Sequence, residues 1–184
     1  VINPEEGYIA TANNEIVGDE YPYYITDFWA QPYRYERIVQ LLESKDKLSV
    51  QDMKDIQMDT VNLYAAEFLP HFIETLKAVD TAGEYWQIIA SLESWNYDET
   101  IDSEQALVFN FMMEEIKETL FKDAMPEDVY KMMPGKYQIM DNILRDAYAG
   151  SEGVWIQQVG GLQTLVFGAF EHTVEELTDL YGSN

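Results

Sequence analysis

A chain of 184 residues with 47% apolar side chains can bury the core of one domain and carries no compositional mark of disorder. Its 34 acidic residues against 11 basic ones give a formal net charge of −23, which repels phosphate backbones and anionic headgroups and argues against nucleic-acid and membrane-surface roles. The lack of cysteine removes disulfides, thiolate metal sites and cysteine nucleophiles together, and no segment approaches the ~20 apolar residues of a membrane-spanning helix.

The start, at Val1, reads as processed or cut from something longer. Residues 1–30 form an extended arm. Asn3-Pro4 and Glu6-Gly7 read as turns, and Tyr8 to Ala12 as a short strand. Asn13-Asn14 and Gly18-Asp19 punctuate the arm again before the aromatic run Tyr21 to Ile25. A lone strand cannot satisfy its own backbone, so the arm calls for a sheet that the rest of the chain does not supply.

From Pro32 the apolar period becomes helical, and residues 31–184 read as an all-α domain. Pro32 can open a helix that carries Ile38, Leu41 and Leu42 on one face. Ser49 reads as the N-cap of a second helix with Met53 and Ile56, and Asp52 favours its positive end. A longer stretch repeats Leu63, Phe68, Leu69, Phe72, Ile73 and Leu76; another holds Tyr85, Trp86, Ile88, Ile89 and Leu92 and ends near Trp95. Ser103 caps a strong helix predicted to turn Leu107, Phe111, Ile116 and Leu120 inward. Pro126 and Pro134-Gly135 bracket a short helical turn; Ile139, Met140, Ile143 and Leu144 mark a further helix, and Gly150 to Gly153 break the chain. A last helix runs from about Leu162 to Tyr181, with Leu165, Val166, Ala169, Val174 and Leu177 apolar. The expected class is mainly α with an extended N-terminal arm.

Little of this carries chemistry by itself. His71 and His172 lack partners at ligand spacing, with neither HExxH nor a Cys/His cluster present, and read as surface or capping residues. Acidic pairs such as Glu114-Glu115 and Glu175-Glu176 read as solvated helix faces. The run Asp98 to Asp102 lacks the spacing and glycine of an EF-hand. Aromatic residues at helical spacing, such as Phe109, Phe111 and Trp86, read as core. Two features stand out. Asn13-Asn14 follows the short strand, where an Asn either makes a turn or presents a strand-end amide to an oxyanion. Arginine is scarce, and Arg34 and Arg37 lie three apart at a helix start among aromatic residues, where pairing with one of the many acids is the simple reading.

The order of these pieces resembles the penicillin acylase (penicillin amidase) family. The specific part is Asn3-Pro4-x-x-Gly7-Tyr8-Ile9-Ala10-x-x-Asn13-Asn14, then Tyr21-Pro22, then Trp29-x-x-Pro32-Tyr33-Arg34-x-x-Arg37-Ile38. Lys45-Asp46-Lys47-Leu48-Ser49, Phe68-Leu69-Pro70, Leu92-x-x-Trp95 and Thr173-x-x-Glu176-Leu177 extend it along the chain, with the weakest match between about 120 and 160. The resemblance implies an N-terminal-nucleophile hydrolase, made as an autoproteolytic precursor, whose exposed serine attacks amides such as penicillins or acyl-homoserine lactones through an acyl-enzyme. It implies that the chain is an interior piece of the β subunit, that its arm joins the sheet of an αββα fold, and that the nucleophile lies outside it. The piece alone is then expected to be inactive. Its partners would be the rest of the same enzyme and a small amide substrate, in a periplasmic or secreted setting.

Carried over residue by residue, the resemblance implies that Asn13 is the side-chain oxyanion donor and that Arg34 positions it, while Arg37 is structural. It implies no cofactor in this chain. A structural calcium in the intact enzyme is known among family members, but the segment from Tyr23 to Asp27 is shorter here and aligns no acid with it. The reading from another class is an independent acidic all-α module for a basic partner, with Asn13 as a turn residue and Arg34 as a surface ion-pair residue.

Overall fold

The computed structural model describes residues 2–26, 28–133 and 137–182. All regular elements among them are helices, nine in number, and the described residues form no strand. The chain divides into two compact units, Val1–Tyr64 and Ala65–Asn184.

In the first unit the arm is held by turns and side chains. Gly7 N–H donates to Pro4 O at 3.0 Å and Tyr21 N–H to Gly18 O at 3.0 Å, at the two places where the sequence signals turns. The strand expected from Tyr8 to Ala12 is irregular backbone instead, because no neighbouring strand offers it a ladder. Ile2, Ile9, Tyr23 and Tyr24 of the arm are exposed. Tyr8 reaches across to α1 (Tyr33–Glu43) and donates to Glu43 Oε1 at 2.6 Å; the bond to that carboxylate and the nearby negative charge push the Tyr8 pKa up to about 12. α1 begins directly after Pro32, and its one buried side chain, Tyr33, meets Tyr64 with ring centroids 5.1 Å apart. α2 (Val50–Gln57) starts with a complete capping box: Ser49 Oγ accepts from Asp52 N, and Asp52 Oδ2 accepts from Ser49 N at 2.7 Å. Lys45 pairs with the same carboxylate.

The second unit holds the core. It comprises α3 (Leu63–Val79), which begins at the close of the first unit, then α4 (Trp86–Glu93), α5 (Glu104–Phe121), α6 (Glu127–Lys131), α7 (Tyr137–Tyr148), α8 (Val154–Gln158) and α9 (Leu162–Tyr181). α5 and α9 share the most extensive helix–helix contact. Phe68, Leu69, Phe72 and Leu76 of α3, Phe109, Met112, Ile116 and Leu120 of α5, and Leu165, Val166 and Phe170 of α9 are all buried. Aromatic pairs join the helices: Phe72 stacks with Phe109 at 6.4 Å, and Tyr85 meets Phe170 edge-on at 5.2 Å. α3 carries Pro70 within it at an exposed position, where the ring removes one N–H from the helical ladder.

Ser103 caps α5 as expected, accepting from Ala106 N, and α9 spans the residues the apolar period marks. The inward face of α5 differs from the expectation. Leu107 is exposed and Phe111 half-buried, because Phe109, Met112, Met113 and Ile116 set the phase of that helix and leave Leu107 off the seam. Trp86 at the first position of α4 and Ile139 in α7 are likewise exposed, while Ile89, Leu92, Met140 and Leu144 fill the core. α8, a single short helix after the glycine break, has no counterpart in the periodic reading. Pro134-Gly135 lies outside the described residues.

Removing the α2 cap tests how far the first unit relies on it. Ser49→Ala is expected to cost about 1 kcal/mol in denaturant unfolding. Bonds from Lys45 and Ser49 hold the Asp52 carboxyl far below the usual carboxylate range. Its contribution is therefore present above the unfolded-state value and fades as pH falls through the depressed one. The Ser49→Ala penalty should shrink in strongly acidic solution, which the same titration repeated at low pH checks.

Candidate active site

Three residues in succession divide the work at the end of the Tyr8–Ala12 run. Ala12 is buried, Asn13 is exposed and Asn14 is buried. Asn14 is a brace. Its Oδ1 accepts from Ala12 N at 3.0 Å and its Nδ2 donates to Glu15 O at 2.8 Å, so the side chain spans the backbone on either side of Asn13. Asn13 itself adopts φ 62°, the left-handed conformation that Asn tolerates better than most residues. Its main-chain oxygen accepts from Ala30 N at 2.8 Å, tying the turn to the segment that leads into α1.

Arg34, on the first turn of α1, completes the arrangement. One of its terminal nitrogens, Nη2, donates to Ala12 O at 2.7 Å and to Asn13 Oδ1 at 3.0 Å. Because a guanidinium has donors and no acceptor, only the oxygen end of the Asn13 amide can face it. The Nδ2 end is turned away, and no described residue accepts from it. A cation on the amide oxygen also draws electron density toward that end and strengthens the N–H groups as donors. The outcome is an exposed, oriented amide donor on a pinned backbone.

Arg37, one turn further along α1, behaves differently. It forms the two-pronged pair with Asp59, Nε to Oδ1 and Nη2 to Oδ2, both at 2.7 Å, and this pulls the Asp59 carboxyl below its ordinary value. Ion pairing, the simple reading for both arginines, thus describes Arg37. Arg34 gives its bonds to neutral oxygens in a chain with 34 acidic residues. Sequence reasoning singled out Asn13 and Arg34 but not the bracing role of Asn14 or the anchoring by Ala12 O and Ala30 N. Backbone partners leave no mark in side-chain patterns.

Both histidines belong to the second unit. His71 stacks on Tyr148 with ring centroids 4.6 Å apart, and His172 Nδ1 lies 2.7 Å from Glu115 Oε2.

The profile of the penicillin amidase family matches residues 1–184, and the chain belongs to that family. Over 62 residues, 34% of its length, it is 40% identical to "Penicillin acylase 2 proenzyme" of Pseudomonas sp. strain SE83, of which the match covers 8%. It is also 26% identical over 138 residues, 68% of its length, to "Acyl-homoserine lactone acylase QuiP" of Pseudomonas aeruginosa, covering 16% of that protein. The chain thus spans a small part of the curated relatives it matches.

The division of labour between the two asparagines has a measurable side. Asn14→Ala leaves the buried Ala12 N–H without its acceptor and is expected to destabilise the first unit by about 1–3 kcal/mol. Asn13→Gly, which keeps the left-handed backbone and removes only an exposed bond to Arg34, should cost less than Asn14→Ala. Unfolding titrations of the two variants compare them directly.

Proposed function

We propose that this chain supplies the oxyanion-binding part of an amide hydrolase of the penicillin amidase type. The observation that carries the reading is the Arg34 bond to Asn13 Oδ1 at 3.0 Å, which puts the oxygen of this exposed amide, and not its N–H groups, against the cation. When a nucleophile adds to an amide carbonyl, negative charge gathers on the carbonyl oxygen. A donor already fixed at that point stabilises the charge without reorganising during the reaction. Collapse of the tetrahedral species then expels the amine and leaves an acyl-enzyme, which water hydrolyses. Within this reading Asn13 Nδ2 meets the oxyanion, Arg34 orients and polarises the amide, Asn14 stiffens the turn, and none of these residues is the nucleophile. The substrates would be penicillins or related N-acyl compounds. Acyl-homoserine lactones are the second substrate class, favoured by the longer of the two matches. A periplasmic or secreted location accords with the same reading.

In the intact parent enzyme, Asn13→Gly is the informative substitution, since alanine at φ 62° would add backbone strain to the loss of the amide. Its kcat should fall by about 10²–10³ with folding retained. Arg34→Lys replaces a fork with a point charge and should give a smaller fall in kcat with KM little changed. Steady-state kinetics on a chromogenic acyl amide measure both, and an Asn13→Gly enzyme of ordinary kcat sinks the assignment. The 184-residue chain purified alone should not turn over the same substrate; turnover by it would overturn the proposal from the other side.

A further inference from the structure

Far along the chain from Asn13, in the second unit, three potential metal ligands converge from two helices. His172 and Glu176 stand four residues apart on α9, one turn from each other on the same face. Glu115 projects from α5, the helix that packs most extensively against α9. One ligand atom from each of Glu115, His172 and Glu176 lies within 4.8 Å of the other two, and among the described residues this is the one grouping of histidine and acidic side chains that is tight enough to hold an ion. His172 Nδ1 already meets Glu115 Oε2 at 2.7 Å.

We propose that Glu115, His172 and Glu176 form a binding site for a divalent transition-metal ion of the zinc class, bridging α5 and α9. The chemistry of the donor set points to that class. Imidazole nitrogen suits zinc and its first-row neighbours, whereas calcium and magnesium prefer oxygen alone. A tetrahedral ion with bonds of about 2.0–2.2 Å spaces its ligands roughly 3.4 Å apart. The His172–Glu115 separation of 2.7 Å is below that value and the other two are no more than 4.8 Å, so the ion needs the His172–Glu115 contact to open by less than about 1 Å, a side-chain adjustment on two helices packed together. Two carboxylates and a neutral imidazole balance a divalent charge, in a chain whose net charge of −23 attracts cations. The His172 side chain is 61% exposed and that of Glu115 17% exposed, so the site opens on one side to water, which can fill the remaining coordination positions. The other described histidine, His71, is engaged with Tyr148 and belongs to no such grouping.

The test is calorimetric titration of Zn²⁺ into the metal-stripped chain in the presence of excess Mg²⁺, which occupies weak, diffuse carboxylate sites. One ion per chain should bind with a dissociation constant of about 10 μM or below. His172→Ala should weaken binding by about tenfold or more, Glu176→Gln should weaken it as well, and His71→Ala should leave it unchanged. Circular dichroism of His172→Ala, a change at an exposed position, separates loss of the ligand from loss of the fold. Replacing Zn²⁺ with Co²⁺ should give a visible absorption band in the parent chain that is absent in His172→Ala. Failure to bind, binding of several ions with affinity unaltered in His172→Ala, or binding lost in His71→Ala instead would each overturn the proposal. None of these outcomes bears on Asn13, so the metal site and the proposed oxyanion site stand or fall separately.

Discussion

A guanidinium has no acceptor, and the geometry of the first unit turns on that fact. Once Arg34 lies against Asn13, the amide can take only one orientation, oxygen toward the cation and nitrogen away from it. An amide left to itself has two nearly isosteric orientations and points equally well with either end. What removes that freedom is a side chain 21 residues downstream, carried on the first turn of α1. The same nitrogen also holds Ala12 O at 2.7 Å, so the orienting group is tied to the backbone of the turn that it orients. The Ala30 N–H closes the arrangement from the other side by binding Asn13 O. Position, direction and electronic character of the amide thus come from three separate contacts, two on Asn13 and one on Ala12 beside it.

The charge imbalance gives this contact its significance. With 34 acids to 11 bases, a cation meets a carboxylate almost wherever it is placed. Arg37 does so with Asp59, Arg145 with Glu67, and Lys77, Lys122 and Lys131 with glutamates of their own unit. The exposed lysine pairs add little to stability individually, and they chiefly settle the local field. A guanidinium nitrogen held on two neutral oxygens is a different use of the same side chain. It leaves the positive charge close to the outward amide instead of cancelling it against an acid.

The helical part of this architecture was largely legible in the residues. Ser49 and Ser103 announced two helix starts because a capping hydroxyl and the acidic or small residues after it act locally, within one turn. The last helix followed from its apolar period alone. What escaped was decided at longer range. Leu107 has the chemistry of a core residue, yet the phase of α5 is fixed by Phe109 and the adjacent methionines packing on other helices. The five residues of α8 are too few for a periodic signal to develop. Of the functional candidates, Asn13 and Arg34 drew notice through residue type, order and family resemblance. Which of the two neighbouring asparagines braces the turn depended on burial, and burial depends on the fold. The spacing of His172 and Glu176 is written in the sequence, but Glu115 joins them only because α5 lies beside α9.

The left-handed backbone at position 13 has a consequence for which residues can occupy it. Two independent filters act on one site. The dihedral angle admits glycine, asparagine, aspartate and histidine more readily than the rest and penalises the β-branched side chains most. The chemistry proposed for the site admits only a side chain with an N–H to offer, which excludes glycine, and an aspartate would give Arg34 a carboxylate and turn a second acceptor toward the substrate oxygen. Glutamine passes the chemical filter but not the conformational one. Histidine carries an N–H but no carbonyl oxygen, so asparagine is the side chain that meets both filters and also keeps the Arg34 bond to a carbonyl oxygen.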